Sequence, residues 1–560
     1  MDIFNSKVNS IDELFSLSLK SNNFLQTYIK DKTPIIDFEK KHEKYFNSVW
    51  VKNPIKIKII LNSLNSDQLT TYFNIFDSLL LDEGSISTID AGPGTGKTFL
   101  TACILMSYRH KSTYMVYTNK LCEAMSSVSF EGVSLTCCKF LMNLLDYKYT
   151  KVKHLWNVKQ SDLIEKCKEV ENLAKSKKPV NNLYILDENS VVSPFFIYYL
   201  YFLHKLYNIH LIFIGDRYQQ NSINATRFHN KSNYEMLKLI SNVYNLSINV
   251  RQNQDQNFIN MLNKFITYFQ SKNTSAVTFD VKYFFYNLLK DKFHVDEDFK
   301  NIYFAQYHVL LKLRLDRYEE YLKKNSIKYE KAYIYGRVAK GEPLTPLNSI
   351  LDLRKFKPYL TLVIGSNYIY SPNNQIYEVV TLKEINENNL KVFCHSKKRN
   401  IFIRRLTLNA SFTSEQLLFK LQESNFSSCK QFPLRELVST YHAAQGLTIS
   451  NSDIELNMDC QYINSFYVGI TRINKLDQLK KIHSEDVLNL AYTKEKNDEY
   501  FYKIVEFPNR LKDLEFAKCR SVKVFENAKR NLKIEKSFYD VPSLIEENDT
   551  NLMTYIRFNK

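Results

Sequence analysis

The chain has 560 residues, enough for roughly three or four domains each with a core of its own, and its 44% hydrophobic and 24% charged residues exclude wholesale disorder. With 76 Lys plus Arg against 59 Asp plus Glu, the net charge of +17 favours a polyanionic partner, nucleic acid first, over an acidic small substrate. A codon bias that raises Lys together with Asn, Ile and Tyr is the competing source of that charge.

Residues 1–60 are polar and mildly basic, with helical spacing at Ile11, Leu14, Phe15 and Leu19, and read as an N-terminal accessory segment. The opening MDIFNSKVNSIDELFSLSLK lacks the apolar core of a secretory signal, and no run of about 18 apolar residues occurs. An intracellular protein is expected, nuclear or cytoplasmic. The 9 cysteines show no C-x-x-C pair and no zinc-ligand spacing, which fits a reducing compartment without structural zinc. Cys137 and Cys138, being adjacent, read as small buried apolar residues.

From 61 to 250 the runs ISTIDA, TYMVYT, NNLYILDE and HLIFIGD alternate with helical patterns and end in small or polar residues. That is the pattern of an α/β domain whose parallel strands carry loops at their C-terminal edge. A Lys-rich stretch at about 141–180, including Tyr149 and Trp156, reads as an insertion. A second α/β region at 251–475 is interrupted at about 355–435 by short β patterns, LTLVIG, YIYS, IYEVVTLKEI, LKVFCH and IFIRRLTL. Residues 476–560 are charged and carry no interpretable motif.

Ala91-Gly92-Pro93-Gly94-Thr95-Gly96-Lys97-Thr98 lies between an apolar strand and the helical run FLTACILMSY, the context of a Walker A loop with Ala in place of the first Gly. Glycines let backbone N–H groups turn toward a phosphate, and the helix N-terminus adds its dipole. Lys97 then reaches the β- and γ-phosphates, and the Thr98 hydroxyl ligates Mg²⁺. Leu183-Tyr184-Ile185-Leu186-Asp187-Glu188 supplies a strand ending in paired carboxylates, a Walker B element. Asp187 would hold Mg²⁺ through water and Glu188 would deprotonate the attacking water. ATP and Mg²⁺ are the expected substrate and cofactor.

With these elements, the order and spacing over about 61–475 resemble superfamily 1 helicases, particularly the B subgroup that includes RecD, Dda and related viral enzymes. The resemblance implies two RecA-like parallel-sheet lobes, a helical, basic insertion in the first and an SH3-like β insertion in the second. Asn65-Ser66-Asp67-Gln68 looks like the Q motif, in which Gln68 would read adenine. Gly215-Asp216-Arg217-Tyr218-Gln219 is similar to motif III, with Gln219 as the γ-phosphate sensor. Asn249-Val250-Arg251-Gln252 and Tyr467-Val468-Gly469-Ile470-Thr471-Arg472 resemble motifs IV and VI, implying that Arg251 and Arg472 are arginine fingers of the second domain.

Val438-Ser439-Thr440-Tyr441-His442-Ala443-Ala444-Gln445-Gly446-Leu447-Thr448 looks like motif V. It implies that Thr440, His442 and Gln445 serve the nucleic-acid path, Gln445 with Gly446 linking it to the ATP cleft. Thr118-Asn119-Lys120 resembles motif Ia, and Thr136 the motif after it, both lining the same path. The sequence departs from the family at Cys138, where a His is common, at Val250, where an aromatic is common, and at Asn374-Gln375, where the insertion has a turn with Gly. Gly365 and the stretch Ser371–Tyr377 carry the likeness to the β insertion.

The resemblance implies an ATP-dependent DNA helicase in replication, recombination or repair. Its partners would be single-stranded DNA and duplex junctions, with replication proteins as further candidates, and its polarity 5′ to 3′. Open alternatives are a translocase or RNA helicase of the same family, and a replication scaffold whose ATPase has decayed. Neither end shows the carboxylate cluster of a nuclease.

Overall fold

In the computed structural model residues 33–484 are described, apart from 118–121, 123–124, 127, 146–162, 177, 220–232, 253–254, 272–278, 295–297, 338–344, 347–358, 371–377, 387, 396, 408–427, 446–448, 450–451 and 461–462. The first sheet comprises β1 (Ile86–Ala91), β2 (Ser112–Val116), β3 (Gly132–Thr136), β4 (Leu183–Leu186), β5 (His210–Gly215) and β6 (Asn242–Leu246). Its order is β3-β2-β4-β5-β1-β6 and every pairing is parallel. The four inner strands are buried along their whole length, as their apolar runs require under two helical layers. The edge strands β3 and β6 are largely half-exposed and mix polar with apolar residues, which is why no apolar run marks them in the sequence.

Helices Thr33–Lys41, Glu43–Ser48 and Pro54–Ser63 extend this lobe N-terminally of residue 61. Trp50 is fully buried among Tyr45, Phe46, Tyr72 and Phe76, in the same core as Leu100 and Ile104 of the helix Lys97–Ser107. Residues 33–60, which belong to the segment read from the sequence as accessory, are therefore part of the packing behind the phosphate loop. Their partners lie far along the chain, so local spacing does not reveal them.

Of the Lys-rich insertion, 146–162 with Tyr149 and Trp156 fall outside the described residues. Its helix Leu163–Ser176 lays Val170 and Ala174 against the helix Pro194–Tyr207. The Tyr207 hydroxyl donates to the Ala174 carbonyl at 3.2 Å.

After β7 (Ile302–Ala305) the chain enters antiparallel structure: β8 (Glu330–Tyr333), β9 (Tyr335–Arg337), β10 (Thr345–Pro346), β11 (Tyr359–Leu362), β12 (Asn367–Tyr370) and β13 (Glu378–Ile385). It continues with β14 (Asn389–Cys394), β15 (Arg399–Arg404), β16 (Leu406–Thr407), β17 (Ser428–Gln431) and β18 (Leu434–Arg435). The β insertion thus starts near 330, earlier than the sequence pattern indicates. Its largest sheet, β15-β14-β13-β12-β18, buries alternate residues such as Leu390, Val392 and Cys394, the mark of a sheet covered on one face. Gly365 takes φ 89° beside it, whereas the Asn374-Gln375 turn lies outside the described residues.

The second parallel sheet is β19-β7-β20-β21, completed by β19 (Val438–Thr440), β20 (Ile454–Asn457) and β21 (Leu479–His483). Phe258 and Phe265 from the helix Gln256–Ser271 and Phe285 from Phe279–Leu288 pack on Phe466 and Tyr467 of the helix Ile463–Ile470. The α/β class with two parallel-sheet lobes is thus present. In parallel sheets all C-terminal strand ends share one edge, where loops converge on a site.

Candidate nucleotide site between the two parallel sheets

The loop after β1 is shaped for an anion. Gly94 and Gly96 hold φ 76° and 79°, and a Cβ on either would lie 2.5 Å from a side-chain atom, Gln252 Oε1 or Gln68 Nε2 respectively. The Thr95 hydroxyl donates to the Gly92 carbonyl at 2.8 Å and closes the turn. Lys97 opens the following helix, and its Nζ donates to the Ala91 carbonyl at 2.9 Å, an oxygen standing where a phosphate oxygen would compete for it. Thr98, next on that helix, and the buried Pro93 complete the predicted cradle.

Gln68 braces the loop rather than facing outward. Its Oε1 accepts from the Asn65 N–H at 3.1 Å in a capping box, and its Nε2 donates to the Thr95 carbonyl at 2.9 Å. Each end of the amide makes one bond within the protein, so in this conformation Gln68 sets the cradle's shape.

The carboxylates stand at adjacent strand ends. Asp187 is buried, accepts from the Tyr114 hydroxyl at 2.8 Å and from the Glu188 N–H at 2.8 Å, and is pushed above the ordinary carboxylate range by burial first and by the Glu188 charge second. Glu188 adopts a left-handed φ of 53°, uncommon for a residue with a side chain. Its Oε2 is buried with no hydrogen-bond partner among the described residues. Asn233 secures the turn that follows, its Nδ2 donating to the carbonyls of Asn189 at 2.8 Å and Val192 at 2.7 Å.

Asp216, after β5, is a third buried carboxylate here, itself raised to about 6 by burial and pulled back by Lys97. Asp90, at the end of β1, pairs with Arg217 at 2.5 Å. Among the described residues no cluster of three His, Cys, Asp or Glu side chains could hold a metal by itself. Mg²⁺ in such sites keeps waters and shares its shell with phosphates, so one hydroxyl and one water-bridged carboxylate suffice. Thr98 and Asp187 fit that demand.

Arg251 and Arg472 both reach this cluster, each feeling the Glu188 charge. Burial lowers both, Arg251 to about 9 with Arg472 as its second cause. The Arg251 guanidinium donates to the Thr471 carbonyl at 3.0 Å, and Arg472 donates through Nε to Val468 O at 2.9 Å and through Nη2 to Thr471 Oγ1 at 3.1 Å. Their carriers differ. The N–H groups of Val250 and Arg251 donate to the Gly94 carbonyl at 2.8 and 3.1 Å, and Asn249 Nδ2 donates to the Pro93 carbonyl at 3.2 Å. Arg251 is thus anchored to the phosphate loop on the connection between lobes, and only Arg472 arrives on the second lobe.

The lobes also meet at Gln219, which is buried and accepts at Oε1 from Gln445 Nε2 at 3.1 Å. Gln445 is thereby turned into the protein, toward the cleft. Thr136 and Thr440 end β3 and β19, and each hydroxyl accepts from a backbone N–H three residues on, that of Lys139 or Ala443, at 3.2 Å. A hydroxyl used as acceptor keeps its own proton for an outside oxygen. His442 is half-buried and burial holds it below the ordinary histidine range. Thr118, Asn119 and Gly446 lie outside the described residues.

Sequence reasoning did not single out Tyr114, Asp216, Asn233 or Asn464 for roles at the site. The first two sit inside quoted runs, TYMVYT and GDRYQ; Asp216 directly follows β5, which was its available signal, whereas Tyr114 lies in the middle of β2 and carried none. The asparagines carry none, since only tertiary contact gives them partners.

Asp216 makes a pH test. Its folded value lies above the ordinary 3.8, so the stability it contributes is full below about pH 4 and lost as pH rises through about 6. Asp216→Asn is expected to stabilise the nucleotide-free protein by up to about 3 kcal/mol at pH 8 and by little at pH 4, read by urea unfolding at both. An equal gain at both values would show that this carboxylate is not held by burial.

Residues 81–225 match the family model described as an AAA domain. A search of curated protein sequences finds no match. Among solved structures the chain is similar to Pif1 of Bacteroides sp. in complex with ADP-AlF4, at 17% identity and a TM-score of 0.44, covering 77% of this chain and 97% of that one. It is similar to Bacteroides Pif1 helicase in complex with ADP-AlF3 and ssDNA, at 17% identity and a TM-score of 0.42, covering 78% and 98%. It is also similar to Pif1 helicase from Candida albicans, at 17% identity and a TM-score of 0.44, covering 77% and 99%. Overlaps of this extent leave activity to be argued from the site.

Proposed function

We propose that the chain is an ATP-driven nucleic-acid motor of the superfamily 1 helicase type, moving 5′ to 3′ on single-stranded DNA and parting duplexes as it steps. The observation that carries the reading is the arrival of Arg472, on the second lobe, within reach of the Glu188 charge, next to Thr471, whose carbonyl accepts from the Arg251 that is held on Gly94 of the phosphate loop. Phosphoryl transfer spreads charge over the γ-oxygens, so a cation that is in place only when the lobes close makes hydrolysis depend on lobe position.

The residues divide the work. The 91–98 loop and Lys97 bind the triphosphate, and bound Mg²⁺, held by Thr98 and through water by Asp187, would offset phosphate charge. Glu188, whose Oε2 is unpaired, orients the attacking water and accepts its proton. Arg251 and Arg472 meet the charge that develops on the γ-phosphate. The Gln219–Gln445 bond ties this cleft to the segment after β19, where Thr440 has a proton to donate to a phosphodiester. Thr136 offers the same group on the first lobe, so alternate closing and opening would shift one grip relative to the other.

The test is ATP turnover with and without oligonucleotides, DNA against RNA, then unwinding of duplexes with 5′ or 3′ tails. Turnover stimulated by single-stranded DNA, with unwinding from a 5′ tail, is expected. Stimulation by RNA alone would move the substrate to RNA, stimulation without unwinding would leave a translocase, and no turnover at all would discard the motor.

A further inference from the structure

Helix Ile463–Ile470 is buried at all eight positions and leads directly into Thr471 and Arg472. At its second residue, the Asn464 amide crosses to the other lobe. Its Nδ2 donates to the carbonyls of Tyr218 at 2.9 Å and Gln219 at 3.0 Å, so its donors are spent on the backbone of the loop after β5. The side chain is 4% exposed, which makes loss of these bonds costly. Tyr467, on the next turn, sets its ring edge-on to that of Tyr218 at 6.2 Å.

The same loop is held a second time through the Gln219 side chain by Gln445. The two grips differ in kind. Gln445 needs a glutamine opposite it, whereas Asn464 reads main-chain oxygens and is indifferent to the side chains there. A helix of eight residues is a rod of about 12 Å, so fixing its start fixes where its end presents Arg472. Arg251 meets the far end through the Thr471 carbonyl, so the rod is pinned to the first lobe at both ends when the cleft is closed.

We propose that Asn464 is a positioning residue, which docks this helix on the 218–219 backbone and thereby sets Arg472 at the γ-phosphate on each closure. The inference rests on the motor reading above and adds a residue through which closure is registered. Asn464 touches neither nucleotide nor nucleic acid; it acts through Arg472.

The experiment measures single-turnover and steady-state ATP hydrolysis with single-stranded DNA for the parent, Asn464→Ala, Arg472→Ala and the double variant, with Tm for each. Asn464→Ala is expected to lose about tenfold or more in kcat, with KM for ATP within about threefold and Tm lower by a few degrees, because two buried carbonyls lose their donor. In the Arg472→Ala background the same change is expected to cost less than about twofold, because the group it positions is gone. Asn464→Asp, of the same shape but with fewer donors, repeats the test should the alanine protein fail to fold. Parental kcat in Asn464→Ala, or a loss that adds in full to that of Arg472→Ala, overturns the proposal while the motor reading stands. A parent protein without ATP turnover overturns both.

Discussion

Lys97→Ala protein is expected to bind single-stranded DNA within about twofold of the parent at matched salt, yet to lose at least about 100-fold in ATP turnover. The separation follows from where the lysine sits. Its Nζ is held inside the loop on the Ala91 carbonyl, away from Thr136 and Thr440 at the ends of β3 and β19. Its removal takes away the cation that a β,γ-bridging oxygen needs. It also removes the positive charge that pulls Asp187 and Asp216 down from their raised values, so both carboxylates would hold protons to higher pH. Oligonucleotide binding by anisotropy and phosphate release from the same preparation check both halves. Equal turnover in variant and parent would place hydrolysis elsewhere.

The second large effect is expected at Arg472→Ala, a loss of about 1000-fold in kcat with ATP affinity nearly unchanged, since an arginine finger acts on charge that appears in the transition state. Lysine is a poor substitute. The guanidinium anchors itself on Val468 O and Thr471 Oγ1, and its planar fork can be held internally while donating to a phosphate. An ammonium on a flexible stem cannot meet the same oxygens, so Arg472→Lys is expected to recover under about a tenth of the parent rate. Single-turnover hydrolysis beside equilibrium nucleotide binding separates the two effects. A proportionate loss of ATP affinity would make Arg472 a ground-state contact and remove closure from the mechanism.

Much of the site was legible because its parts are contiguous. The 91–98 loop and the Asp187-Glu188 pair need only a strand, a turn and a helix start in register, and a short stretch of chain specifies those. The buried strands β1, β2, β4 and β5 were readable for the same reason, their apolar runs ending in the residues that line the cleft. The edge strands β3 and β6 were not, because half-exposed strands keep polar residues. The start of the β insertion near 330 was missed because β8 and β9 are short and partly exposed.

By itself, then, the sequence determined the phosphate cradle, its paired carboxylates and the first parallel sheet, all properties of local spacing and apolar periodicity, while the second parallel-sheet lobe followed from the family resemblance. Only the tertiary structure decided that Gln68 braces the loop, that Arg251 rides with the cradle while Arg472 comes from the other lobe, and that Asn464 grips a backbone 245 residues away. Contacts of that range exist only after two hydrophobic cores have formed and met. Their partners are chosen by packing and buried hydrogen-bond demand, which leave no period in the chain.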